Sequence, residues 1–187
     1  MSGPPIRYLL DTNFVSETSK PRPDPGVLAF IRSNDPHSAF ISVLTLGELR
    51  KAVAAKKLRD PDPNAARRLA AWVEGLELGF ADRILGIDLA TAGLWGEWSA
   101  DRPRPVVDTL LAATAVVHDL TLVTRNIRDV QGIPVKLLDP WTGYGLQGCR
   151  LGTPGGVRSL PPFRQVRERM GARGLVRADS QRLPHRR

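Results

Sequence analysis

Short apolar runs at residues 6–10, 39–43, 84–87 and 120–124, with a further one at 135–138, alternate with longer stretches of helical character. That alternation restricts the fold more than any other feature of the chain. The runs are too short for independent helices, and their apolar residues are largely consecutive, as in strands buried on both faces. Between them, residues 45–57, 64–78, 89–98 and 107–118 carry helix formers or apolar residues at helical spacing. Asp24-Pro25 offers an N-cap and a first-turn proline ahead of Val27, Leu28, Phe30 and Ile31. Parallel strands need crossover connections, and each crossover helix must cover a face of the sheet. The expectation is a three-layer α/β fold with a mainly parallel sheet of roughly five strands flanked by helices. Ligands in such folds sit beyond the carboxyl ends of the strands.

The hydrophobic pattern closes at Val135, Leu137 and Leu138. Residues 143–187 hold ten Arg against Glu168 and Asp179, whereas residues 1–142 hold 17 basic and 17 acidic residues, so the net charge of +8 resides in the C-terminal segment. Gly, Arg and Pro without periodicity bury too little apolar surface to offset chain entropy. One domain over residues 1–142 is therefore expected, followed by a mostly disordered basic extension with at most a short helix around residues 163–170. The extension either adds sequence-independent attraction to phosphates or has no function. No run approaches the ~20 apolar residues of a membrane span, and no secretory signal pattern opens the chain, so a cytoplasmic protein is expected. Cys149 is the single cysteine, which leaves neither an internal disulfide nor a zinc site.

Acidic residues recur where this fold would gather a ligand. Asp11 ends the first strand, Glu48 lies in the helix after the second, Asp108 opens the helix leading to the fourth, and Asn126 and Asp129 follow the fourth. Each has a plainer role. Asp11 suits an Asp-Thr-Asn turn with Asn13 bonded to it, Thr45 to Glu48 fits a capping box, Asp108 fits an N-cap, and Asp129 a surface loop. Carboxylates converging in one cleft nevertheless repel one another, which calls for raised pKa values or a cation. Oxygen ligands suit Mg²⁺, with Mn²⁺ as an alternative, and such a site has the chemistry of a metal-dependent nuclease.

Taken together, Leu9-Leu10-Asp11-Thr12-Asn13, Ser42-Val43-Leu44-Thr45-Leu46-Gly47-Glu48-Leu49, Val107-Asp108-Thr109-Leu110-Leu111-Ala112-Ala113-Thr114-Ala115 and Leu122-Val123-Thr124-Arg125-Asn126-Ile127-Arg128-Asp129-Val130 resemble, in order and spacing, a PIN domain of the VapC and FitB-like toxin type. The resemblance covers roughly residues 6–140 and leaves out the C-terminal segment. It implies an endoribonuclease, the toxin of a type II toxin–antitoxin pair, with a Mg²⁺ site built from Asp11, Glu48 and Asp108. The fourth acidic position falls on Asn126 or Asp129; many relatives carry Asp where this chain has Asn126. Thr12 and Asn13 would orient the first carboxylate, and Thr124 would hold a water or phosphate.

The same resemblance implies an RNA substrate, a homodimer, and a small antitoxin whose C-terminal segment covers the cleft. Trp72, Val73, Leu76, Trp95 and Trp98 suit either a partner groove or the core, the latter being the usual place for Trp at helical spacing. Arg50, Lys51, Lys56, Lys57 and Arg59 suit either RNA phosphates or a solvated helix face. Three other readings compete. A haloacid-dehalogenase-like phosphatase wants an acid where Asn13 stands, and a receiver module wants an acidic pair before Asp11 and a Lys where Arg125 stands. A catalytically silent PIN-like domain binding RNA or protein is the third, and the presence of all three core acids gives it no support.

Overall fold

The computed structural model describes residues 5–100 and 102–143. In chain order the elements are β1 (Tyr8–Leu10), α1 (Thr12–Thr18), α2 (Pro25–Ser33), β2 (Ala39–Ser42), α3 (Val43–Arg59), α4 (Pro63–Gly79), β3 (Ile84–Leu85), α5 (Leu89–Ser99), α6 (Val106–Val117), β4 (Thr121–Val123) and β5 (Lys136–Leu138), with 3₁₀ turns at Pro36–Ser38 and Ile127–Val130. The strands form one sheet in the order β3-β2-β1-β4-β5, and every pairing is parallel. The expected α/β architecture is thus the one observed. The chain winds outward from β1 through β2 to β3, then returns to the other side of β1 for β4 and β5. The direction of winding therefore switches between β1 and β4, which is where an open parallel sheet leaves a crevice at its carboxyl edge.

Register levels that edge. Leu10 pairs with Ile41 on one side and with Val123 on the other, and Val123 pairs with Leu138. Asp11, Thr124 and Asp139 are accordingly the first residues beyond β1, β4 and β5, level with Ser42, the last residue of β2.

The inner strands β1 and β4 are buried throughout, as their apolar runs require, while the edge strands β3 and β5 are only partly buried. Along β1, Tyr8 and Leu10 join a cluster with Phe14, Val27, Phe30, Leu46, Leu49, Val73 and Leu76, while Leu9 joins a second with Leu111, Ala112, Ala115, Leu120 and Leu122. Helices α1 to α4 supply the first layer and α6 the second. Ala112, Ala113 and Ala115 are fully buried, and their small side chains let α6 lie close against the sheet. A tight approach of another kind occurs at α2. A Cβ on Gly26 would lie 2.0 Å from the carbonyl oxygen of Pro140, so only glycine fits there.

Several local expectations change. Asp11-Thr12-Asn13 is not a free turn but the start of α1, with Asp11 as its N-cap. Helix α3 begins at Val43, which was expected in the strand, and its cap is Ser42, whose hydroxyl accepts from Leu44 N–H at 3.2 Å. Thr45 is not a capping residue: its hydroxyl donates to the Leu10 carbonyl at 3.3 Å. Asp108 lies inside the first turn of α6, whose N-cap position is Pro105. The Asp24 cap is as expected, accepting from Gly26 N–H at 2.8 Å.

Val73 and Leu76 are core residues, Trp72 and Trp98 pack partly buried against the two clusters, and Trp95 is half-buried. The short helix expected around residues 163–170, and the order of the C-terminal segment, lie outside the described residues. Among the described residues no helix is long and apolar enough to cross a membrane.

Candidate active site

Asp11 leaves β1 at the switch point and is 3% exposed. Its Oδ1 accepts the Thr12 N–H at 2.6 Å, while its Oδ2 accepts the Thr124 hydroxyl at 2.7 Å and the Asn13 amide at 3.1 Å. The carboxylate is therefore held by α1 on one side and by the end of β4 on the other. Its backbone N–H bonds the Val123 carbonyl at 3.1 Å, which continues the β1–β4 ladder up to the site.

Thr12 has two functions in this arrangement. Its backbone orients Asp11, and its hydroxyl donates to Glu48 Oε2 on α3. Across the crevice, Asn126 donates its side-chain amide to Asp108 Oδ1 at 3.3 Å, and its backbone N–H to the Thr124 hydroxyl at 3.0 Å. One connected network thus runs from Glu48 through Thr12, Asp11 and Thr124 to Asn126 and Asp108. The Thr124 hydroxyl directs its proton to Asp11.

Asp129, in the 3₁₀ turn after Asn126, donates its backbone N–H to the Asn126 carbonyl at 3.1 Å, but among the described residues its side chain makes no hydrogen bond to this network and acts on Asp108 through its charge. Asn126 is the residue of the pair that the network includes.

Electrostatics mark the same two acids. Burial pushes the Asp11 carboxyl above its ordinary range and the Glu48 charge adds to the rise, against the pull of Thr124, Asn13 and Thr12. Burial also raises Asp108; Asn126 counteracts it, and the charges of Asp11 and Asp129 reinforce it. Among the described residues, every hydrogen bond to the carboxylates of Asp11, Glu48 and Asp108 comes from an uncharged donor.

Among the described residues, no three carboxylate, imidazole or thiol groups already converge as a closed set of metal ligands. A hard divalent cation still fits. Three of the roughly four acceptor positions on Asp11 are occupied, and Glu48 and Asp108 each retain more. Mg²⁺ needs only one or two carboxylates and keeps several waters, so an open, oxygen-only donor set suits it better than a closed cage.

The PIN domain family matches residues 8–131. The chain belongs to the PIN-domain family. Toxin FitB of Neisseria gonorrhoeae is 30% identical to this PIN domain over 138 residues, 71% of this chain and 97% of FitB. VapC ribonuclease Y4jK of Sinorhizobium fredii is 30% identical over 141 residues, 71% of this chain and 96% of its own length. In the solved structure of FitAB bound to an IR36 DNA fragment, one chain superposes with a TM-score of 0.64 at 28% identity, covering 76% of this chain and 99% of that one.

The basic run on α3 of this PIN domain does not form one open surface. Arg50 makes a bidentate ion pair with Glu77 at 2.8 and 2.7 Å, and Lys56 pairs with Asp60 at 2.7 Å. Lys51, Lys57 and Arg59 remain exposed. The hydroxyl bridge from Thr12 to Glu48 was not foreseen, because it joins residues 36 apart.

Proposed function

We propose that this PIN domain is a Mg²⁺-dependent endoribonuclease, acting in the cytoplasm as the toxin of a type II toxin–antitoxin pair. The observation that supports the reading is the hydrogen-bond network that links Glu48, Asp11 and Asp108 through Thr12, Thr124 and Asn126 at the carboxyl edge of the sheet. The names of the relatives, a toxin and a ribonuclease, support it. Residues 1–142 form the catalytic domain in this reading, and the Arg-rich segment 143–187 adds non-specific attraction to RNA.

Asp11 and Asp108 would be the principal metal ligands with Glu48 completing the set, and Mn²⁺ would substitute for Mg²⁺. Bound there, the cation would supply charge neutralisation for the phosphodiester and polarisation of water, as in other metal-assisted hydrolyses. The protein's own share is orientation. Thr12, Asn13 and Thr124 fix the Asp11 carboxylate in place, and Asn126 fixes Asp108. A base near Asp11 would accept a proton from water most readily with the carboxylates ionised, so activity should fall in acid. Asp129 would contribute negative charge beside Asp108 rather than a hydrogen bond.

Partners follow from the same reading: single-stranded or looped RNA as substrate, a second copy of this chain, and a small antitoxin that covers the acidic cleft. The test is cleavage of labelled total RNA by the purified, antitoxin-free protein in Mg²⁺, Mn²⁺ or EDTA, beside an Asp11→Asn, Asp108→Asn double variant. Metal-dependent cutting that the double variant lacks is expected. A folded, metal-binding protein that leaves diverse RNAs intact would refute the nuclease reading.

A further inference from the structure

Between two residues of the network stands one that the network does not use. Arg125 separates Thr124, bonded to Asp11, from Asn126, bonded to Asp108. It is exposed, and its guanidinium lies 5.8 Å from the centre of the Trp141 ring. Trp141 is itself held: its ring meets Phe14 edge-on at 6.1 Å, and its backbone N–H bonds the Asp139 carboxylate at 2.9 Å. Phe14 belongs to α1, three residues after Asp11, and Asp139 follows β5 at the level of Thr124. The platform under Arg125 is therefore built from the same sheet edge as the acids.

The guanidinium has no protein acceptor among the described residues. Glu17 attracts it, but the Glu17 oxygens already accept from Lys20 Nζ at 2.6 Å and from Asp24 N–H at 3.1 Å. Arg125 is thus a flat cation lying against an aromatic ring, with its N–H donors unused among the described residues, in the chain between the two residues that bond Asp11 and Asp108. Guanidinium matches phosphate in a two-pronged geometry that an ammonium does not reproduce.

We infer that Arg125, seated on Trp141, anchors a backbone phosphate of the RNA next to the one being cut. This rests on the nuclease reading for the word "cut", but not for the contact. Sequence-independent anchoring beside the acids would offset their repulsion of the strand and set which phosphate reaches them.

The test has a binding arm and a cleavage arm, both on the full chain. In the binding arm, a fluorescein-labelled random-sequence RNA 12-mer is titrated in EDTA at a series of salt concentrations against wild type, Arg125→Gln and Arg125→Lys. Loss of one phosphate contact should weaken binding by Arg125→Gln about tenfold and reduce the salt slope by about 0.7, the value for a single strand. Arg125→Lys should restore the slope but not the full affinity. In the cleavage arm with Mg²⁺, Arg125→Gln should raise KM about tenfold and leave kcat within about twofold.

Unchanged affinity and slope would overturn the proposal. Weaker binding with an unchanged slope would also overturn it, since that marks base stacking and not a phosphate. So would a fall in kcat at constant KM. Wild-type protein that binds but never cleaves would sink the nuclease reading, while the anchor would still be decided by the binding arm.

Discussion

Replacing Thr124 with valine changes almost no volume and removes one hydroxyl at the centre of the network. Thr124 is 2% exposed, so no water readily takes the place of that group. Two hydrogen bonds disappear: the 2.7 Å donation to Asp11 Oδ2 and the 3.0 Å acceptance from Asn126 N–H. The first is made to a carboxylate, and bonds to charged groups contribute about 1.5–3 kcal/mol. If that contribution is expressed as placement of the metal ligand, Mg²⁺ affinity should fall about 10- to 100-fold, the range seen when a residue supporting a ligand is lost. The direction of the proton effect follows as well. Thr124 is the strongest of the donors that lower the Asp11 pKa, which burial already holds high. Its loss must raise that pKa further. A metal competes with protons for the ionised form, so the midpoint of the pH dependence of Mg²⁺ binding should move to higher pH. Calorimetric titration with Mg²⁺ from acid to neutral pH measures both quantities, and Thr124→Ser, which keeps the hydroxyl, should restore them. A valine variant with wild-type affinity and an unmoved midpoint would refute the assignment of Thr124 to Asp11.

Gly26→Ala should lower stability by about 1–3 kcal/mol, the usual range for overpacking, because the new methyl meets the Pro140 carbonyl oxygen at 2.0 Å and backbone must move; an unchanged thermal midpoint would show the contact to be loose. Asp108→Asn should abolish cleavage and yet make the metal-free protein more stable at neutral pH. Its carboxyl is raised by burial and by the Asp11 and Asp129 charges, so the ionised form burdens the fold increasingly as pH rises through the ordinary carboxylate range toward the raised value. The advantage of the variant should vanish in acid, where both states are protonated, and denaturant melts at two pH values check the sign. A chain ending at residue 142 should melt like the full protein and still cleave RNA, but with weaker and less salt-dependent binding, since ten Arg are removed. Loss of folding on truncation would place the domain boundary later.

The strands were legible because an inner parallel strand leaves a short apolar run, set between longer stretches of helical spacing. Helix α1 was not. It has seven residues, opens with Thr12 and Asn13, and buries only Phe14, Val15 and Glu17, so no helical period shows. What makes it a helix is largely the Asp11 cap, and Asp11 alone reads equally well as a turn. The cap of α3 was misread for a related reason. Thr45 and Glu48 have the spacing of a capping box, but both side chains turn to distant partners, Leu10 and Thr12. Local motifs record what a side chain is able to do nearby; they do not record a better partner that the fold delivers from 35 residues away.

The acids themselves were legible as a set, and their placement at the switch point has a physical logic that their identities do not reveal. Three acids tied into one network, Asp11, Glu48 and Asp108, need restraint, and two means are available: internal cations, or neutral donors. Lys or Arg would hold the carboxylates firmly but would neutralise them and occupy the oxygens a metal needs. Thr12, Asn13, Thr124 and Asn126 instead fix the geometry without cancelling the charge. The carboxyls of Asp11 and Asp108 are raised first by burial, and the neighbouring acidic charges, left uncancelled within the chain, add to the rise. In the proposed reading a cation from solution would offset that cost, so the residues that burden the metal-free protein would be the ones suited to hold a metal.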